Sequence, residues 1–151
     1  MTQVVLYNKT QLCELIPHSG LMCLLDEVIE WDAQHVVCLS RTHLQMDNPL
    51  RTTSGLPMNA LIEYGAQAMA VHGGIQAKQQ GTTIEKGYLV ALRNVKLAGR
   101  ILSDCNDSLQ VEAKQEYADQ GNMIYQFIVS HQNTELVNGR ATVMSLEEGN
   151  V

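Results

Sequence analysis

Glu63 is the residue most out of place in this chain. From Met58 to about Lys78 the sequence is rich in alanine and aliphatic side chains, yet Asn59, Glu63 and Gln67 recur at intervals of four. On a helix that spacing sets the three side chains in one polar stripe on an otherwise apolar rod. A carboxylate there must be paired, protonated or placed at a cavity, because an isolated buried ion is strongly unfavourable. Desolvation favours the neutral form of a carboxyl group, which suits general acid–base work. A glutamate hydrogen-bonded inside a subunit interface, or to a buried backbone donor, leaves the same trace in sequence.

The other groups able to do chemistry are five histidines and four cysteines. His18, His35, His43, His72 and His131 show no metal-ligand spacing and there is no H-E-x-x-H, so no metal is expected. His72 follows Glu63 by nine residues, half a turn away around a helix, which assigns it to packing or an interface. Cys13, Cys23, Cys38 and Cys105 form no C-x-x-C pair, and Cys23 and Cys38 lie among aliphatic neighbours. Four buried, reduced thiols are expected.

The elements that must position these groups belong to one domain spanning residues 1–151, of α+β class. Thr10 is a candidate cap for a short helix near Lys9–Ile16, closed by Pro17. Residues 22–30 and 34–42 read as a β-hairpin turning at Trp31-Asp32-Ala33, and 44–56 as a loop. Pro57 then opens the long helix, which Gly73-Gly74 weakens and Gly81 stops. Strands follow at 87–97, 108–117, 122–131 and 135–146. In the second of these, Leu109, Val111, Ala113 and Tyr117 alternate with polar residues and should share a face. Asp119-Gln120-Gly121 carries turn chemistry; Val137-Asn138-Gly139-Arg140 reads as a bulge or bend.

Composition excludes several classes. Net charge is −6, which argues against nucleic-acid binding and against a polybasic membrane-surface protein. No apolar run is long enough to span a bilayer, and Met1 to Thr10 lack a basic start followed by an apolar block. A cytoplasmic protein is expected. Against the global acidity, Lys86, Arg93, Lys96 and Arg100 stand without an intervening acid, whereas five acids occur from Asp104 to Asp119.

Two stretches resemble a known family. Ile16-Pro17-His18, followed by Leu24, Asp26 and Val28, is similar to the amino-terminal signature of the hotdog-fold 3-hydroxyacyl-acyl-carrier-protein dehydratases, with Ser19, Leu21 and Glu27 departing from it. Gly55-Leu56-Pro57-Met58-Asn59-Ala60-Leu61-Ile62-Glu63-Tyr64-Gly65-Ala66-Gln67-Ala68 resembles that family's central helix, and with His72-Gly73-Gly74 looks most like its aryl-polyene-cluster branch. The resemblance implies a long helix wrapped by an antiparallel sheet, and a homodimer or higher homo-oligomer whose sheets join edge to edge. It implies a substrate carried on the phosphopantetheine arm of acyl carrier protein or on coenzyme A, with no further cofactor. A histidine and the helix carboxylate would then remove water from a 3-hydroxyacyl thioester to leave a trans-2-enoyl thioester, in fatty-acid or polyene-type lipid synthesis.

Residue by residue, Glu63 matches the helix acid and Gln67 the amide that supports it. Met58 falls where the family has a glycine whose N–H faces the thioester, with Gly55 on the same substrate-binding stretch. The family's His-Phe-Pro loop reads Asp47-Asn48-Pro49-Leu50 here and holds no histidine. His18 therefore stands as the candidate base, ahead of His43. The alternatives are a hotdog thioesterase using the helix carboxylate to activate water, or a non-catalytic acyl-binding subunit paired with an active paralogue. Lys86, Arg93, Lys96 and Arg100 are the candidate docking surface for the acidic carrier, with an ordinary solvated strand face as the alternative.

Overall fold

The computed structural model describes residues 4–82, 86–103 and 105–146; the side chains of Lys86 and Leu146, and Asp104 altogether, fall outside these. Helix α1 (Lys9–Cys13) is capped by Asn8, not Thr10: the Asn8 side chain accepts from the Gln11 N–H while the Gln11 side chain accepts from the Asn8 N–H. It stops well short of Ile16. The expectation of four reduced thiols is also corrected, because Cys13 and Cys23 are joined in a disulfide while Cys38 and Cys105 are buried and outside any disulfide. Their spacing has no local signature; the pairing arises because the chain doubles back after α1.

Strands β1 (Glu27–Asp32) and β2 (His35–Ser40) form the expected hairpin, with the Asp32 carboxylate accepting from the Gln34 N–H at 2.8 Å across the turn. The first strand begins at Glu27 rather than residue 22. Gly20–Met22 forms a single 3₁₀ turn, and side chains claim the backbone that follows. The Leu24 N–H donates to Gln67 Oε1, and the Leu24 carbonyl accepts from Ser40 Oγ and Thr42 Oγ1. With both groups taken, Leu24 has nothing to offer a ladder.

Helix α2 (Leu61–Gln79) is entered through a 3₁₀ turn at Met58–Ala60 and is followed by Gly81 at φ +68°, in the left-handed region. Gly74 does not break it. A Cβ at that position would lie 2.6 Å from the Leu15 carbonyl oxygen, so glycine lets the incoming chain lie against the helix. Strands β3 (Lys86–Leu97), β4 (Leu109–Asp119), β5 (Asn122–His131) and β6 (Thr134–Leu146) complete one antiparallel sheet in the order β1-β2-β4-β5-β6-β3.

The helix lies across one face of this sheet. Tyr64, Ala68, Val71 and Ile75 are buried in one core with Val111, Ala113, Phe127 and Val129. Leu109, Val111 and Ala113 alternate inward as expected, but Tyr117 does not share their face and is 51% exposed. The register shifts between Gln115 and Tyr117, and one extra residue reverses the alternation. The stretch from Val137 to Arg140 runs straight through β6. One irregularity lies just before it, where Ser130 pairs with Glu135 and Val129 with Val137. Another lies opposite it, where Arg93 pairs with Arg140 and Lys96 with Asn138, so the bulge belongs to the neighbouring strand β3.

Candidate functional site

The loop after α1 and the first turn of α2 bring two polar side chains together. His18 Nε2 lies 3.1 Å from Glu63 Oε1 across a separation of 45 residues. Glu63 occupies the first turn of α2, where the helix dipole favours negative charge. The pair is open to solvent: the side chains retain 26% (His18) and 38% (Glu63) exposure. The expectation of a buried Glu63 is therefore corrected for the single chain. The helix is apolar around most of its circumference, but Ile62, Ala66, Ala70 and Gly73 are half-buried on the same open flank. His18 Nδ1 is buried and has no hydrogen-bond partner among the described residues.

Gln67, one turn beyond Glu63, is fully buried and acts on the backbone of the histidine-bearing segment. Its Oε1 accepts from the Leu24 N–H at 2.9 Å and its Nε2 donates to the Met22 carbonyl at 2.7 Å. Its contact is thus with the chain that carries His18, rather than with the acid. Lys9 Nζ secures the same segment from the other side, donating to the carbonyls of Cys23 (2.7 Å) and Leu25 (2.9 Å) and pairing with Asp26 at 3.0 Å.

Gly55 and Met58 are committed elsewhere. Gly55, at φ +111°, closes a tight turn in which its N–H and carbonyl bond Thr52, and the Met58 N–H donates to the Arg100 carbonyl at 2.8 Å. Neither N–H is free for a thioester oxygen. The Met58 contact does bring Arg100 to the end of α2 that carries Glu63. Arg93, Lys96 and Arg100 are exposed and make no ion pair among the described residues; Arg93 and Lys96 flank a register shift in the edge strand β3.

His43 is buried, and its Nε2 donates to the Cys105 carbonyl at 2.9 Å. Burial lowers its pKa. His72 is a packed residue, as its place on the helix predicts. Nδ1 accepts from Tyr125 Oη at 2.8 Å and Nε2 donates to the Asp32 carbonyl at 3.1 Å, and burial holds its pKa below the ordinary range.

One buried network has little sequence signal. Asn48 Nδ2 donates to Tyr64 Oη at 2.9 Å and to the Thr42 carbonyl, and the Tyr64 hydroxyl meets Thr42 Oγ1 at 2.7 Å. Burial raises the Tyr64 pKa, which keeps it a neutral donor. Asn48 stands in the loop where the resembling family has histidine, and here it fastens that loop to α2. Its place beside Pro49 and Tyr64's place beside Glu63 are the sole pointers, and neither shows the contact.

Among the described residues no cluster of His, Cys, Asp or Glu could hold a metal ion. Two shallow concavities, of about 320 Å³ around His35, Glu112 and Lys114 and about 610 Å³ around Arg51 and Gly55, lie away from the His18–Glu63 pair.

A long helix held against one antiparallel sheet, with a polar pair where the helix begins, defines a hotdog-fold protein. The chain belongs to the ApeP-like family, described as ApeP dehydratase, whose model matches residues 10–150. Among solved structures it is similar to the dehydratase heterocomplex ApeI:P from Xenorhabdus doucetiae, with a TM-score of 0.81, 24% identity and 91% of each chain covered. It also resembles a hypothetical thioesterase with coenzyme A from Streptococcus pneumoniae TIGR4, with a TM-score of 0.58, 11% identity, and 80% of this chain and 84% of that one covered. A putative thioesterase from Shewanella oneidensis matches with a TM-score of 0.61 at 6% identity, over 92% of this chain and 94% of that one. No curated relative matches the sequence.

Proposed function

We propose that this chain eliminates water from 3-hydroxyacyl thioesters, with His18 and Glu63 as the reacting pair. The observation that carries this reading is the 3.1 Å contact between His18 Nε2 and Glu63 Oε1 at a solvent-open helix start. A substrate entering there meets a base and an acid together. His18 Nε2 takes the proton from the carbon beside the thioester carbonyl, and the electron pair of that bond forms the new double bond. The C–O bond to the hydroxyl breaks as protonated Glu63 gives it a proton, and water leaves. Since the N–H groups of Gly55 and Met58 are engaged, the developing oxyanion draws on the positive end of α2.

The acyl group arrives on the phosphopantetheine arm of acyl carrier protein or on coenzyme A. Arg100, which the Met58 contact brings to the helix entrance, and Arg93, Lys96 and by sequence Lys86 along β3, supply the cationic surface that an acidic carrier would use. The site is completed by a second hotdog chain, either another copy or a paralogue. Edge strand β3 exposes Leu89, Val90 and Leu92, and α2 leaves one flank half-covered. The ApeI:P structure is itself a heterocomplex.

Hydration of a trans-2-enoyl thioester, on carrier protein and on coenzyme A, tests the reading with Glu63→Gln and His18→Ala beside the parent. Activity lost in both variants is expected; inactivity of the parent on both carriers, alone and with a paralogue, overturns it. Release of free thiol instead of hydration would identify a thioesterase. A second reading, a non-catalytic half of a heterodimer, is favoured by the Asp47-Asn48-Pro49 loop, which holds no histidine and whose Asn48 is a buried amide bonded to Tyr64. In that case activity would require the paralogue and survive Glu63→Gln in this chain.

A further inference from the structure

The disulfide lies at the base of the loop that presents His18. Cys13 ends α1, Cys23 follows the 3₁₀ turn at Gly20–Met22, and the residues between them include Pro17, His18 and Ser19. Leu15 and Ile16 anchor the start of this loop in the core, but Pro17 and the stretch Ser19–Leu21 are exposed. The imidazole's one side-chain hydrogen bond is the contact with Glu63. The far end of the loop is held by Lys9 and Gln67, and the bridge joins that end to the end of α1, with the exposed residues between. Cys13 is half-buried and Cys23 buried, so Cys13 is the more exposed half of the bridge and the side from which an external thiol would attack.

We propose that Cys13 and Cys23 form a thiol–disulfide latch that governs how firmly His18 is held against Glu63. A dithiol reductant attacks Cys13 Sγ and breaks the S–S bond, releasing Cys23 as thiolate, which takes up a proton. Its second thiol then attacks the mixed disulfide, freeing protonated Cys13 and leaving the reductant as a cyclic disulfide. Two electrons and two protons pass to the protein. Opening the bridge returns conformational freedom to the loop, since the closure constraint between its ends is lost. The buried thiols Cys38 and Cys105 take no part; burial pushes the Cys38 pKa up and keeps it protonated. The effect on turnover rests on the reading of His18 and Glu63 as the reacting pair; the latch itself does not.

The test measures amide hydrogen exchange of residues 18–22 in the full chain, air-oxidised and dithiol-reduced, with iodoacetamide labelling under native conditions to count accessible thiols. Reduction should expose two labelled cysteines and speed exchange at residues 18–22 by about tenfold. The Cys13→Ser/Cys23→Ser variant, and Cys13→Ser alone, should exchange at the fast rate with or without dithiol. Enoyl-thioester hydration should fall several-fold on reduction in the parent and not respond in the double variant. Equal exchange in the two redox forms, or failure of the pair to oxidise, overturns the latch. If exchange responds but no form is active, the latch stands and the dehydratase reading fails.

Discussion

Helix α2 carries two histidine contacts of opposite character. At its middle, His72 is enclosed: both ring nitrogens are satisfied, by Tyr125 Oη and the Asp32 carbonyl, and Tyr125 is itself supported by Gln115. At its start, Glu63 meets His18 in the open, with one ring nitrogen of His18 left without a partner. The first arrangement is closed to any newcomer, because every donor and acceptor is already used. The second is partly open to solvent at the pair, although His18 Nδ1 is itself buried, and its geometry depends on a loop rather than on the helix alone. A polar group fully satisfied inside a core stabilises; one partly satisfied at an opening is available for chemistry.

The contrast breaks most visibly if Glu63 proves structural. Glu63→Gln should lower enoyl hydration by roughly 10²–10⁴-fold and leave the thermal midpoint nearly unchanged. A large loss of stability in that variant would place Glu63 with His72. The converse substitution, Tyr125→Phe, removes the proton donor to His72 Nδ1 and should cost about 1–3 kcal/mol in denaturant unfolding, while turnover per folded molecule is retained.

Acid sharpens the same distinction. His43 and His72 both have folded-state pKa values below the ordinary 6.5, chiefly through burial. Below that value the unfolded chain binds more protons at these sites than the folded one, so their contribution to stability, complete above it, is lost as pH falls. The urea midpoint should therefore drop between about pH 7 and pH 5, and His43→Gln, which keeps a donor toward the Cys105 carbonyl, should flatten the drop. The smallest effect concerns the periphery. Charge reversal at Arg93, Lys96 and Arg100 should weaken carrier binding several-fold at low salt and little at high salt, with unchanged turnover on coenzyme A substrates. Unaltered carrier affinity would return this segment to the status of a solvated strand.

The parts of this molecule legible in sequence are those written in local pattern. A long alanine-rich run without β-branched crowding shows α2, alternation shows the inner face of β4 as far as Ala113, and Glu63 stands out because its neighbours are apolar. What was illegible depends on residues distant in sequence meeting. The backbone at Leu24 leaves the sheet because Gln67, Ser40 and Thr42 bind it, and no window around residue 24 contains them. The Cys13–Cys23 pairing and the engaged N–H of Met58 are of the same kind. The family resemblance brought His18 forward as a candidate, but its contact with Glu63 arises from the folding of two segments onto each other.

The sheet ends differently on its two sides. Beside β1, the Leu6–Tyr7 backbone exchanges hydrogen bonds with Val28, so part of that rim is already occupied. Beside β3, no described strand follows. The two rims are therefore unequal: β1 is covered at Val28, while β3 offers twelve residues of backbone, so strand addition by a neighbouring chain is favoured on the β3 side.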